Sequence, residues 1–366
     1  MLLILFSCKK DVTSNEKSIP NLNTIQYAKG FSIESHKNFS ILKITNPWPK
    51  ANKNYIYILR KKNAVIPDSL KTCLVIDVPV KRIVVTSTTH IPSLEMLEVE
   101  NTLVGFPNLN YISSEKVRTR IDAKQIIELG NNQDLDIEKI IALSPDVIVG
   151  YGIDNNNPTL DNLEKSGQKV VLNGDWNEET PLGKAEWIKF FGALYNLDKK
   201  AKTLFDVIAK DYQNTKKIAS NCKSRPTILA GAIYQDSWFM PKGESWGSLL
   251  LADANANYMW SHTKGTGSLN LSFETVLARA QHAEFWFQGQ FSTLADVEKA
   301  NRHYKQFDAV KNNKTYTFAS KKGKTGGLIY YELSPNRPDL VLKDIVKILH
   351  PELFPSYKLT FYEQLK

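Results

Sequence analysis

Residues 181–218 read PLGKAEWIKFFGALYNLDKKAKTLFDVIAKDYQNTKKI. Trp187, Phe190, Leu194, Leu197, Ala201, Leu204, Ile208 and Tyr212 recur at steps of three and four, the spacing of one helix face, with Lys, Asp and Glu on much of the other. Asn196 and Asp198 are good capping residues. The spacing therefore predicts a first helix, a turn at Asn196 to Asp198, and a second helix of about 20 residues, roughly 30 Å long. A helix of that length crosses a small domain.

What flanks this stretch suggests that it joins two bodies. Before it lies LDIEKIIALSPDVIVGYG (135–152) and after it LSFETVLARAQHAEFWFQG (271–289). Each reads as a short apolar helix containing a Glu (Glu138, Glu274), a polar turn, and a buried strand ending in Gly. The expected fold class is α/β: two lobes, each a mostly parallel sheet flanked by helices, joined by a long interlobe helix, with a cleft between them. The expected organisation is a lipoprotein signal and flexible tether (1–23), an N-terminal lobe with an extra β-hairpin (24–180), the connecting helix (181–218) and a C-terminal lobe (219–366).

The chain has 366 residues, 42% hydrophobic and 23% charged, enough for two ordinary cores. No apolar run approaches the roughly 20 residues needed to span a bilayer. The net charge of +9 is spread along the chain, and neither zinc-finger spacing, an RNP-type aromatic motif nor a long basic tract is present, so no nucleic-acid partner is expected. Cys8, Cys73 and Cys222 form no C-x-x-C pair, and the six histidines show no i, i+4 pair or carboxylate cluster. Cys73 and Cys222 read as buried thiols; no metal site and no cofactor is expected.

The chain begins MLLILFSCKK, in which Leu5-Phe6-Ser7-Cys8 resembles a bacterial lipobox, making Cys8 the expected lipidation site. The apolar part is shorter than usual and no basic residue precedes it, as though the start were assigned late. Segments 39–45 and 55–60 read as a β-hairpin. RIVV (82–85) leads through TSTTH into a helix whose start can receive a polar ligand, placing Ser87, Thr88, Thr89 and His90 near the cleft. In an alternating α/β chain the loops after the strands form the ligand surface. His90, Tyr111, Arg120, Tyr151 and Trp176 from the first half, and Tyr234, Trp238, Trp246, Trp260 and Tyr330 from the second, are the candidate ligand-binding residues. Gly243-Glu244-Ser245-Trp246-Gly247 matches the G-x-S-x-G nucleophile elbow, with Asp296, His303 and His350 downstream, which makes a serine hydrolase using Ser245 the competing reading. Gly323-Lys324-Thr325 ends like a phosphate loop, but Phe318 stands where its leading Gly belongs.

Three stretches together resemble the helical-backbone (class III) substrate-binding proteins of bacterial ABC importers, the siderophore and cobalamin receptors. They are VPVKRIVVTSTTH followed by a helix, DIEKIIALSPDVIV, and FDAVKNNKTYTF followed by RPDLVLKDIVKILHPELF. The resemblance covers roughly residues 78–355 and implies a non-enzymatic receptor, lipid-anchored in the bacterial cell envelope, periplasmic or outer-membrane associated. It further implies that Glu138 and Glu274 dock on the permease of an importer driven by its ATPase, with small lobe closure. The ligand it implies is an iron chelate of the siderophore type, or alternatively cobalamin or haem. Arg118, Arg120 and the positive net charge are the features that favour an anionic iron chelate.

Overall fold

The computed structural model describes residues 24–62 and 64–366. Cys8 and the tether lie outside the described residues.

Each lobe is built on one sheet. In the first, the order is Val170–Leu172, Val147–Gly150, Ile83–Val85, Leu103–Phe106 and Ile127–Glu128, all parallel. In the second, Asn257–Tyr258, Thr227–Ala230, Phe285–Gln288 and Thr315–Thr317 are parallel, and Glu363–Gln364 adds an antiparallel edge. Four strands of each sheet share one connectivity. The strand that opens each sheet lies between the next strand in sequence and the strand of the Glu-bearing helix–strand unit, with one more strand outside the latter. VIVG (147–150) and FWFQ (285–288) are buried throughout, as strands covered on both faces must be.

The hairpin read from the sequence is the centre of a four-stranded sheet: Phe31–Ser35, Phe39–Ile44 and Tyr55–Lys61 run antiparallel, and Leu74–Val78 joins parallel to the third. Alternation in FSILKI turns Leu42 and Ile44 into the first-lobe core. The second lobe carries a small antiparallel sheet without counterpart in the sequence reading: Ala232–Tyr234, Ser237–Pro241 and Ser268–Leu271.

The joining segment consists of three helices, Pro181–Glu186, Ile188–Leu194 and Asp198–Ser220. It breaks at Trp187 as well as at the predicted turn, where Asn196 is left-handed. Phe205, rather than Leu204, lies on the buried stripe of the long helix. That stripe serves two cores: Ala201, Phe205 and Ile208 belong to the first lobe, Tyr212 and Ala219 to the second. The chain entering at residues 24–30 is tied to the joining helices. The buried Glu186 carboxylate accepts the N–H groups of Gln26, Tyr27 and Ala28 and pairs with Lys189 at 2.7 Å. Glu178 receives Lys29 and Gly30.

Candidate functional site: the interlobe cleft

The C-terminal ends of the parallel strands in both sheets face one cleft, as the topology of such sheets dictates. It has two compartments sharing Tyr331. The smaller, about 270 Å³, is lined by Thr86, Ser87 and Thr88 after the first strand, Phe106, Tyr111, Asn132 and Tyr151 from the other strand ends, and Gly327 and Leu328 opposite. The larger, about 780 Å³, lies mainly against the second lobe, with Pro49 and Trp176–Glu179 closing it from the first. That volume falls within the range of small-molecule sites.

Aromatic rings dominate the larger compartment. Phe318 and Tyr330 stack with centroids 4.0 Å apart and planes at 11°, and Trp246 continues the stack at 6.4 Å from Tyr330. Tyr234 and Phe239 meet edge-on at the mouth. The strand Thr227–Ala230 reaches this wall through Gly231, which is left-handed (φ 78°) and packed so tightly that a Cβ would overlap the Phe239 carbonyl oxygen. Beneath the stack, the buried Lys184 ammonium donates to the carbonyls of Asp175 (3.1 Å) and Trp176 (2.7 Å) and lies 5.6 Å from the Trp246 ring. Burial pulls its pKa down to about 8. One cation thus braces the strand-end loop of the first lobe and an aromatic of the second.

The lobes also touch directly. The buried Glu332 carboxylate accepts the N–H groups of Ser113 (2.6 Å) and Ser114 (2.9 Å) across the cleft, and burial raises its pKa to about 7. Asn336 accepts from Ser93 Oγ and donates to the Thr89 carbonyl, each at 2.7 Å. Gly327 abuts the Tyr111 backbone, where a side chain would overlap the carbonyl oxygen.

Of the residues picked out from the sequence, the structure brings Trp176, Tyr234, Trp246 and Tyr330 to the larger compartment and Tyr111 and Tyr151 to the smaller. Four picks are corrected. His90 is 0% exposed, its ring packed against Phe191. Trp238, also 0% exposed, packs among Trp286, Tyr304 and Phe307. Trp260 is 4% exposed beneath the Arg279 guanidinium. Arg120 donates to the Glu100 carbonyl and to Gln125, outside the lining. Arg118 is likewise buried against the Leu109 carbonyl. The electrostatic reason for an anionic ligand therefore falls: among the described residues, no Lys or Arg lines either compartment. Phe239 and Phe318 were missed; only strand phase or tertiary packing points them inward.

Ser245 lines the cleft as a helix cap. Its hydroxyl donates to the Lys242 carbonyl (2.7 Å) and accepts the Ser248 N–H (3.4 Å). Asp296 closes a capping box with Thr293, and His303 bonds Gln306, so neither is held for a triad. Glu138 and Glu274 are exposed, each the second residue of a short helix whose preceding residue, Asp136 or Ser272, caps it. Helix dipoles favour carboxylates at these positions.

Two lobes, a helix shared between their cores and a cleft at the strand ends are the architecture of a two-lobed solute-binding protein. The chain belongs to the periplasmic binding protein family, which its residues 83–321 match. An uncharacterized lipoprotein of Methanocaldococcus jannaschii is 26% identical over 97% of this chain and 86% of its own length. Among solved structures, a possible iron-binding (periplasmic solute-binding) protein from Staphylococcus epidermidis superimposes with a TM-score of 0.57 at 18% identity, over 74% of this chain and 99% of that one. A periplasmic heme binding protein from Pseudomonas aeruginosa gives 0.57 at 18%, over 78% and 98%.

Proposed function

We propose that the protein captures a metal chelate with flat conjugated faces, an iron chelate or a tetrapyrrole, and hands it to an ABC permease while anchored to the cell envelope through Cys8. The observation that carries this reading is the stack of Trp246, Tyr330 and Phe318 along a cleft of about 780 Å³. Ring faces bind planar conjugated ligands well, and a lining without basic side chains suits a chelate of low net charge better than a polyanion. The iron- and haem-binding names of the two fold neighbours support the ligand class, and the lipoprotein name of the archaeal relative supports the anchor. Glu138 and Glu274, one per lobe at equivalent helix starts, are the proposed permease contacts.

A tryptophan-fluorescence titration with neutral ferric hydroxamates, ferric catecholates, haem and cyanocobalamin, corrected for ligand absorbance, tests the proposal. We expect saturable quenching by a haem, corrin or low-charge iron chelate, weakened about ten-fold or more by Trp246→Ala, a loss of roughly 1.4 kcal/mol. Tight binding of the ferric catecholates alone, or no quenching by any of these ligands, would overturn the assignment.

A further inference from the structure

At the end of the second lobe remote from the cleft, before the strand Thr227–Ala230 begins, the long helix Asp198–Ser220 and the C-terminal helix Pro338–Leu349 finish beside one another. Cys222 follows the first by two residues and His350 follows the second directly. With Glu352 they bring a thiol, an imidazole and a carboxylate together, one ligand atom from each lying within 4.8 Å of the others. The His350 ring is 2% exposed and its Nε2 is buried with no hydrogen-bond partner. Leaving a buried ring nitrogen unsatisfied costs about 1–3 kcal/mol. Both loops that carry the donors are fixed. Asn255 Nδ2 donates to the carbonyls of Cys222 (2.9 Å) and Ser224 (3.1 Å), and Lys347 Nζ donates to those of Pro351 (3.1 Å) and Pro355 (3.2 Å) on either side of Glu352. The cluster also receives the negative ends of two helix dipoles, which favour a cation.

We propose that Cys222, His350 and Glu352 form a site for a thiophilic divalent cation of the zinc class, with three protein ligands and a fourth position open to solvent. Sulfur, nitrogen and oxygen donors in one site suit such an ion, whereas Ca²⁺ and Mg²⁺ take oxygen sets. Ligands about 2.0–2.3 Å from a tetrahedral centre stand closer together than the cluster does, by about 1 Å. The exposed Glu352 side chain and the half-buried Cys222 supply that movement by rotation. A bound ion would fasten the turn after the C-terminal helix to the end of the interlobe helix. This site stands independently of what the cleft binds.

Cobalt(II), a spectroscopically active stand-in for zinc, tests it on the reduced, chelator-treated full chain. We expect one equivalent of thiolate-to-cobalt charge-transfer absorption, displaced by zinc and retained by Cys73→Ser. The band should vanish in Cys222→Ser, and apparent affinity should fall about ten-fold or more in Glu352→Gln, an exposed change that leaves the packing intact. Absence of the band at micromolar cobalt, or its survival in Cys222→Ser, overturns the site.

Discussion

Glu332 is a carboxyl group held between the two lobes, and its protonation state is coupled to their union. Burial, opposed by the Ser113 and Ser114 N–H groups, lifts its pKa from 4.5 to about 7, and burial likewise raises that of neighbouring Glu95, which Ser114 contacts. A carboxyl whose folded pKa is raised stabilises the folded state fully below the unfolded value and loses that contribution as pH rises through the folded one. Stability should therefore decline between about pH 4.5 and pH 7, by roughly 3 kcal/mol at most from this group. Melting curves across that window should show the decline in the wild type and a flatter profile in Glu332→Gln; equal slopes would mean that the carboxyl is solvated. At this scale the sequence is a partial guide. Trp238 and Phe239 are adjacent aromatics in one strand, and alternation says that they face opposite ways, but only the sheet's packing decides that Trp238 enters the core and Phe239 the cleft. The Arg118 and Arg120 charges misled for a related reason: the guanidiniums are engaged by the backbone carbonyls of Leu109 and Glu100, which composition does not reveal.

Among the elements, the long helix packs into the cores of both lobes. Phe205 is almost fully buried in the first-lobe core, with the Lys189 ammonium 4.6 Å from its ring. Phe205→Ala should cost about 3–5 kcal/mol, read as a lowered urea midpoint, whereas Val207→Ala on the exposed side should stay within about 0.5 kcal/mol. The helix was legible because its two faces differ in polarity over several turns. The break at Trp187 was not: residues 181–194 are buried on every side, so no polar face marks their phase or their end. The paired helix–strand units were legible from order and composition, because a short capped helix followed by a continuous apolar run has few other readings. Strands Phe31–Ser35 and Leu74–Val78 carry charges on their outer faces and pair with partners that only the folded sheet supplies, which is why half of that sheet went unread.

For the whole molecule, the duplicated architecture places one exposed glutamate at an equivalent corner of each lobe. Reversing both charges, Glu138→Lys with Glu274→Lys, should leave ligand affinity within about two-fold and reduce uptake in whole cells by an order of magnitude or more, since both changes lie on the solvent face away from the cleft lining. Uptake that persists in the double variant would remove the docking role. Cys222 and His350 show the limit of linear reading at this scale: spacing rules search short windows, and these residues meet only because two helices end together. The helix shared between the cores has a consequence for the chain's divisibility. Its repeat looks modular, yet a cut on either side of Asp198–Ser220 would strip one half of Ala201, Phe205 and Ile208 or the other of Tyr212 and Ala219. Whichever side is cut, one fragment is left with an incomplete interior, so the duplicated halves are not separable parts.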